Sequence, residues 1–140
     1  MKKIITLFVL FFGLMAQAQN NKDIEYIQIR RTFGFQDAPN QNRLASMLKY
    51  HFEKLGYKVY YAEDGVPQEI RNNRCKEYIC NVERAPKMTS TELTVTLVDC
   101  NYETVASGTG ESRIKLRKKA YPEVITYIFE KTAMGRIGKK

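Results

Sequence analysis

The stretch Cys75–Cys100, CKEYICNVERAPKMTSTELTVTLVDC, decides how this chain is read. In its second half Leu93, Val95 and Leu97 alternate with Thr94 and Thr96. A period of two with one apolar side marks a strand with a single buried face, the habit of antiparallel sheets. The first half repeats it, with Tyr78, Cys80 and Val82 on one side. APKMTS between them carries Pro86 and two hydroxyl residues, the chemistry of a connection. The stretch therefore reads as a β-hairpin. Centring it near Lys87 and Met88 sets Val82 opposite Leu93, Cys80 opposite Val95 and Tyr78 opposite Leu97. The same register sets Cys75 opposite Cys100 on the other face. Opposed antiparallel residues lie about 4.5–5.5 Å apart at Cα, a distance a disulfide spans. Cys75–Cys100 is the expected bridge, and Cys80 is expected as a buried, inert thiol. The rival pair, Cys75 with Cys80, lies within one extended strand and is too far apart.

Upstream, IEYIQIRRTF (Ile24 to Phe33) is rich in β-branched and aromatic residues and reads as a strand. After a loop, Pro39 precedes a helix for which Asn40 or Asn42 is the expected N-cap. Leu44, Met47, Leu48, His51, Phe52 and Leu55 share one helical face, and Gly56 supplies the left-handed stop. YKVYYAE (Tyr57 to Glu63) reads as a second strand, and DGVPQEIRNNR as a polar loop. Downstream of the hairpin, TVASGTGESRI is a fifth strand. Gly108 and Gly110 share one of its faces, where a bulge or a close backbone approach is expected. In KKAYPEVITYIFEKT, Tyr121, Val124, Ile125, Ile128 and Thr132 share a helical face. Pro122 cannot sit in a helix interior without cost, so this helix is expected to begin no earlier than about Lys118, with Pro122 in its first turn. The order β-α-β-β-β-β-α predicts an α+β fold. It is a two-layer sandwich: a largely antiparallel sheet of five strands with two helices on one face. The first strand–helix–strand unit can be parallel through a right-handed crossover.

The chain opens MKKIITLFVLFFGLMAQAQ. Two lysines, a short apolar run and small residues at Ala16 and Ala18 make residues 1–18 an expected signal peptide. Residues 19–140 are then one α+β domain with a flexible tail from about residue 134. The expected location is periplasmic or secreted, with no transmembrane segment after signal removal. An oxidising destination suits the disulfide.

The formal net charge is +8. RIKLRKK (Arg113 to Lys119) concentrates it, and Arg113, Lys115, Arg117, Lys118 and Lys119 form the candidate anionic-ligand patch. The expected partners are an envelope protein or an anionic glycan or lipid; export disfavours nucleic acid. The single histidine, His51, and cysteine spacings without CxxC give no metal-ligand set, so no metal or other cofactor is expected. A Cys80–His51 nucleophile pair is disfavoured because an apolar setting keeps the thiol protonated. SGTGES (Ser107 to Ser112) lacks the GK[ST] ending of a phosphate loop. No catalytic residue is assigned. The nine tyrosines are read first as the rim of a small core, second as a partner platform.

NRC (Asn73 to Cys75), DC (Asp99-Cys100), SGTGES (Ser107 to Ser112) and KKAY (Lys118 to Tyr121) give the chain a resemblance. It resembles a group of small exported proteins of Bacteroidetes-type bacteria over residues 72–130. Their pattern runs N-R-C, hairpin, D-C, S-x-x-G-x-S, then K-K-A-Y opening a final helix. The resemblance implies that the two motif cysteines belong together, and it implies no activity. The chain departs from the pattern at Cys80 and at Pro122. The architecture is also similar to small envelope-assembly modules that pack two helices on one sheet face. The expected function is a non-catalytic, exported cell-envelope binding module. The alternatives are a small secreted enzyme and a secreted effector or inhibitor.

Overall fold

In the computed structural model, which describes residues 24–138, five strands and three helices follow one another. They are β1 (Tyr26–Ile29), α1 (Leu44–Lys54), β2 (Lys58–Tyr61), α2 (Gln68–Asn72), β3 (Glu77–Arg84), β4 (Thr91–Val98), β5 (Thr104–Ser112) and α3 (Arg117–Lys131). The expected signal peptide lies outside the described residues. The strands form one sheet in the order β2-β1-β3-β4-β5. The long ladders β3–β4 and β4–β5 are antiparallel, and the short ladders β1–β2 and β1–β3 are parallel. The fold is the expected α+β sandwich, with α1 and α3 packed on each other and on one sheet face.

The hairpin exists, with its register two residues from the expected one: Val82 faces Val95 and Cys80 faces Leu97. The Ala85 N–H donates to the Glu92 carbonyl (3.1 Å), so pairing runs past Arg84 and the connection sits later in the chain. A slip of two keeps every side chain on its face, whereas a slip of one would invert the strand. Cys80, Val82, Leu93, Val95 and Leu97 are accordingly all buried.

The ladder stops at Ile79 and Val98, so the cysteines lie beyond it rather than opposite each other within it. Each is delivered by a turn. The Asn73 side-chain oxygen accepts the Cys75 N–H (3.0 Å) and opens a short 3-10 turn. The Asp99 carboxylate accepts the N–H groups of Asn101 (2.8 Å) and Glu103 (3.0 Å). Side chains that bond to the backbone two residues on are a standard way to bend a chain. The Asn and Asp of the N-R-C and D-C patterns thus bring Cys75 and Cys100 to a Cα separation of 5.0 Å, where the sulfurs are bonded.

Helix α1 buries Leu44, Ala45, Leu48 and Phe52. Its formal N-cap is Arg43, not Asn40 or Asn42, and all three have positive φ. Asn40 still serves the helix start from four residues upstream of Leu44: its Oδ1 accepts the Ser46 N–H (3.0 Å). At the other end Gly56 has φ 101°. The Tyr57 N–H reaches the Phe52 carbonyl and the Gly56 N–H the Glu53 carbonyl, the paired bonds that close a helix through a left-handed glycine.

β1 and β2 are shorter than expected, four residues each. The Arg31 N–H is taken by the Glu63 carboxylate rather than by a ladder, so the strands end there. The expected polar loop after β2 contains α2, whose Ile70 is buried. Traffic from β1 to β2 and then from β2 to β3 reverses direction across the sheet. Right-handed crossovers therefore run over opposite faces. Consistent with that, Ile70 is fully buried yet stands outside the core between the sheet and the two long helices.

Helix α3 begins at Arg117, close to the expected start, and Pro122 lies in its second turn rather than in the expected first. Beneath it the inward residues of β5 are all small: Ala106, Gly108, Gly110 and Ser112. The close approach expected at the glycines is real. A Cβ at Gly110 would lie 2.9 Å from the Val124 carbonyl oxygen, and one at Gly108 would lie 2.2 Å from Thr132 Oγ1. The expected loose tail from residue 134 is instead packed as far as it is described. Met134 is buried, and the Tyr57 hydroxyl donates to the Ile137 carbonyl (2.5 Å).

Candidate functional site

Two regions carry unusual chemistry. The first is the basic segment. Residues 113–116 link β5 to α3 through a bend at 115–116, anchored where the Ile114 N–H donates to the buried Ser112 hydroxyl (3.2 Å). Arg113, Lys115, Arg117, Lys118 and Lys119 are all exposed, and among the described residues none of them makes an ion pair. They do not share one groove. Lys115 and Arg117 line a groove of about 370 Å³ with Met88 and Ile114 of the neighbouring loop and linker. Lys118 lines a second, of about 680 Å³, with Asn42, Arg43 and Met47. Three of the five stand in the first turn of α3, which holds no acidic residue. The N-terminal end of a helix carries partial positive charge, so cations there are disfavoured. Lys87, by contrast, is neutralised by Glu92 (2.6 Å) and Glu111 (3.2 Å).

The second region lies on the sheet face away from α1 and α3, and alternation alone did not reveal it. Glu77 stands on that face and is only 6% exposed. The Gln28 side-chain amide donates to the Tyr60 hydroxyl (3.0 Å), and that hydroxyl donates to the Glu77 carboxylate. The chain crosses three strands in the order β1, β2, β3. Burial pushes the Glu77 carboxyl above its ordinary pKa, while the Tyr60 hydrogen bond and the Arg74 charge pull it down. Arg74, Glu77, Ile79, Asp99, Cys100 and Tyr102 enclose a recess of about 50 Å³ beside the disulfide. Tyr102 at its edge is 78% exposed and has φ 60°, a conformation uncommon for a tyrosine. Sites for organic ligands usually measure about 300–1,000 Å³. This recess has room for water, not for a metabolite.

A pH signature follows. Glu77 holds its proton to higher pH in the folded state than in the unfolded chain. Its contribution to stability is therefore full below the unfolded value and is lost as pH rises through the raised folded one. Glu77→Gln, which can still accept from Tyr60, should remove that decline. Denaturant melts across the weakly acidic range should show the stability of the wild type falling relative to the variant as pH increases. Parallel curves would contradict a raised Glu77 pKa.

The remaining candidates are structural. Cys80 is buried, and burial raises its thiol pKa, so it has no nucleophilic character. His51 stacks on Phe129 (ring centroids 4.6 Å apart) and meets Tyr50 edge-on. Burial, with Lys54 beside it, lowers its pKa. Among the described residues no group of three His, Cys, Asp or Glu side chains could hold a metal ion. Tyr57, Tyr78 and Tyr121 are buried in the core, as the rim-of-core reading had it, whereas Tyr102 and Tyr127 are exposed. Among the described residues no helix is long and apolar enough to cross a membrane. No protein-family model, curated protein or solved structure matches this chain.

Proposed function

We propose that the protein is an exported, non-catalytic binding module of the cell envelope that holds an anionic partner through Arg113, Lys115, Arg117, Lys118 and Lys119. The observation that carries the reading is a local rule broken without compensation: three unpaired cations crowd the end of α3 where the helix disfavours them. Functional surfaces are where such conflicts are kept. The disulfide is compatible with an oxidising compartment, in line with export.

The test separates binding from folding. Lys118→Glu with Lys119→Glu should stabilise the protein by about 0.3–1 kcal/mol per residue, because acidic groups suit a helix start. The same variant should lose the partners that crosslink to the wild type in envelope fractions at low salt. Partners captured equally by the variant, or retained by the wild type at high salt, would refute the assignment.

A further inference from the structure

We propose that the partner is an anionic lipid bilayer, and that Met88, Ile114 and Leu116 enter its headgroup region while the cations hold its phosphates. This rests on the anionic-partner reading and narrows it to one chemistry. Six large hydrophobic side chains are exposed among the described residues; of the three aliphatic ones, Met88 and Ile114 line one groove and Leu116 is two residues along the chain from Ile114. Met88 is fully exposed, Leu116 is 57% exposed and Ile114 is 37% exposed. Met88 and Ile114 line the same groove as Lys115 and Arg117, and Leu116 lies between those two cations in the chain. Singly exposed apolar residues need no explanation, but a cluster rimmed by charge marks an interaction surface.

The linker reads Arg113-Ile114-Lys115-Leu116-Arg117, alternating cation and aliphatic. A soluble polyanion or a glycan could use the cations and would leave the aliphatics in water. An anionic bilayer uses both, with phosphates at the surface and a hydrocarbon boundary just beneath. The tip is also held ready. The Lys87 ammonium bonds Glu92 and Glu111 at the base of the loop that presents Met88. The Ser112 hydroxyl fixes the start of the linker. Lys87 is thereby removed from the binding charge, which leaves the five unpaired cations to act.

The chain has no tryptophan, so Met88→Trp reports on the tip alone. With phosphatidylglycerol-containing vesicles its emission should shift to the blue and become shielded from an aqueous quencher. Phosphatidylcholine vesicles should give no shift, and added salt should reverse it. A second protein, Met88→Ser with Ile114→Ser and Leu116→Ser, changes only exposed side chains. It should keep its fold by circular dichroism, lose more than about tenfold in vesicle affinity, and still bind polyphosphate. A tryptophan that stays in water, with the triple variant binding vesicles as well as the wild type, overturns the lipid docking and leaves the anionic reading intact. Failure of the wild type to bind both vesicles and polyphosphate overturns both.

Discussion

Replacing Cys75 and Cys100 together with serine is expected to lower the free energy of unfolding by about 3.5 kcal/mol. That is the loop-closure entropy of a bridge spanning 25 residues. Small domains have total stabilities of about 5–15 kcal/mol, so the loss is a large share. It should also be local. The bridge ties the turn before β3 to the turn after β4, where Asn73 and Asp99 bend the chain and the Glu25 N–H donates to the Lys76 carbonyl. The check is a denaturant melt of the wild type with and without reductant, beside the double serine variant. The reduced wild type should match the variant, and Cys80→Ala should keep its response to reductant. A wild-type melt indifferent to reductant would refute the bridge.

The second large effect is expected at Phe52. It is fully buried on α1 and meets Phe129 of α3 edge-on at 5.0 Å between ring centroids. Phe129 also carries the stacked His51 ring on another side. Truncating Phe52 to alanine removes one of the two ring contacts that Phe129 makes with α1 and leaves a void that close-packed neighbours fill poorly. The expected cost is about 3–5 kcal/mol by urea denaturation, with Phe52→Leu retaining most of the stability. If Phe52→Ala cost no more than a surface substitution, the α1–α3 contact would not be part of the core.

How much of this could be read from the residues varies with range. The hairpin was legible because its signal is local: alternation at Leu93, Val95 and Leu97 fixes a face whatever the pairing partner. The register was read two residues off, because APKMTS offers several places to turn and the sequence pattern repeats every two. The partnership of Cys75 and Cys100 survived that error for a different reason from the one first given. Asn73 and Asp99 bend the chain toward the bridge after the ladder has ended. α2 escaped because a five-residue helix with one apolar residue, Ile70, has too little periodicity to show.

The same division holds for the sites. The five cations are visible in RIKLRKK, and their exposure follows from their chemistry. That Met88, some 25 positions upstream, lies beside them depends on β4 pairing with β5, which the hairpin alone does not specify. The face of Glu77 follows from the alternation of Tyr78, Cys80 and Val82, but its environment does not. Its burial depends on β1 and β2 lying to one side of β3, so that Tyr60 and Gln28 reach it. No pattern within β3 carries that information.

The small-residue row on β5 has a consequence for ancestry. A helix seated directly on main chain has no layer of side chains to absorb change, so Gly108 and Gly110 tolerate almost no growth. Residues elsewhere in the core can drift as long as volumes balance. Distant kin of this chain should therefore be recognised less by overall likeness than by a short signature. It is a cysteine-flanked hairpin followed by tiny residues at every second position of the next strand.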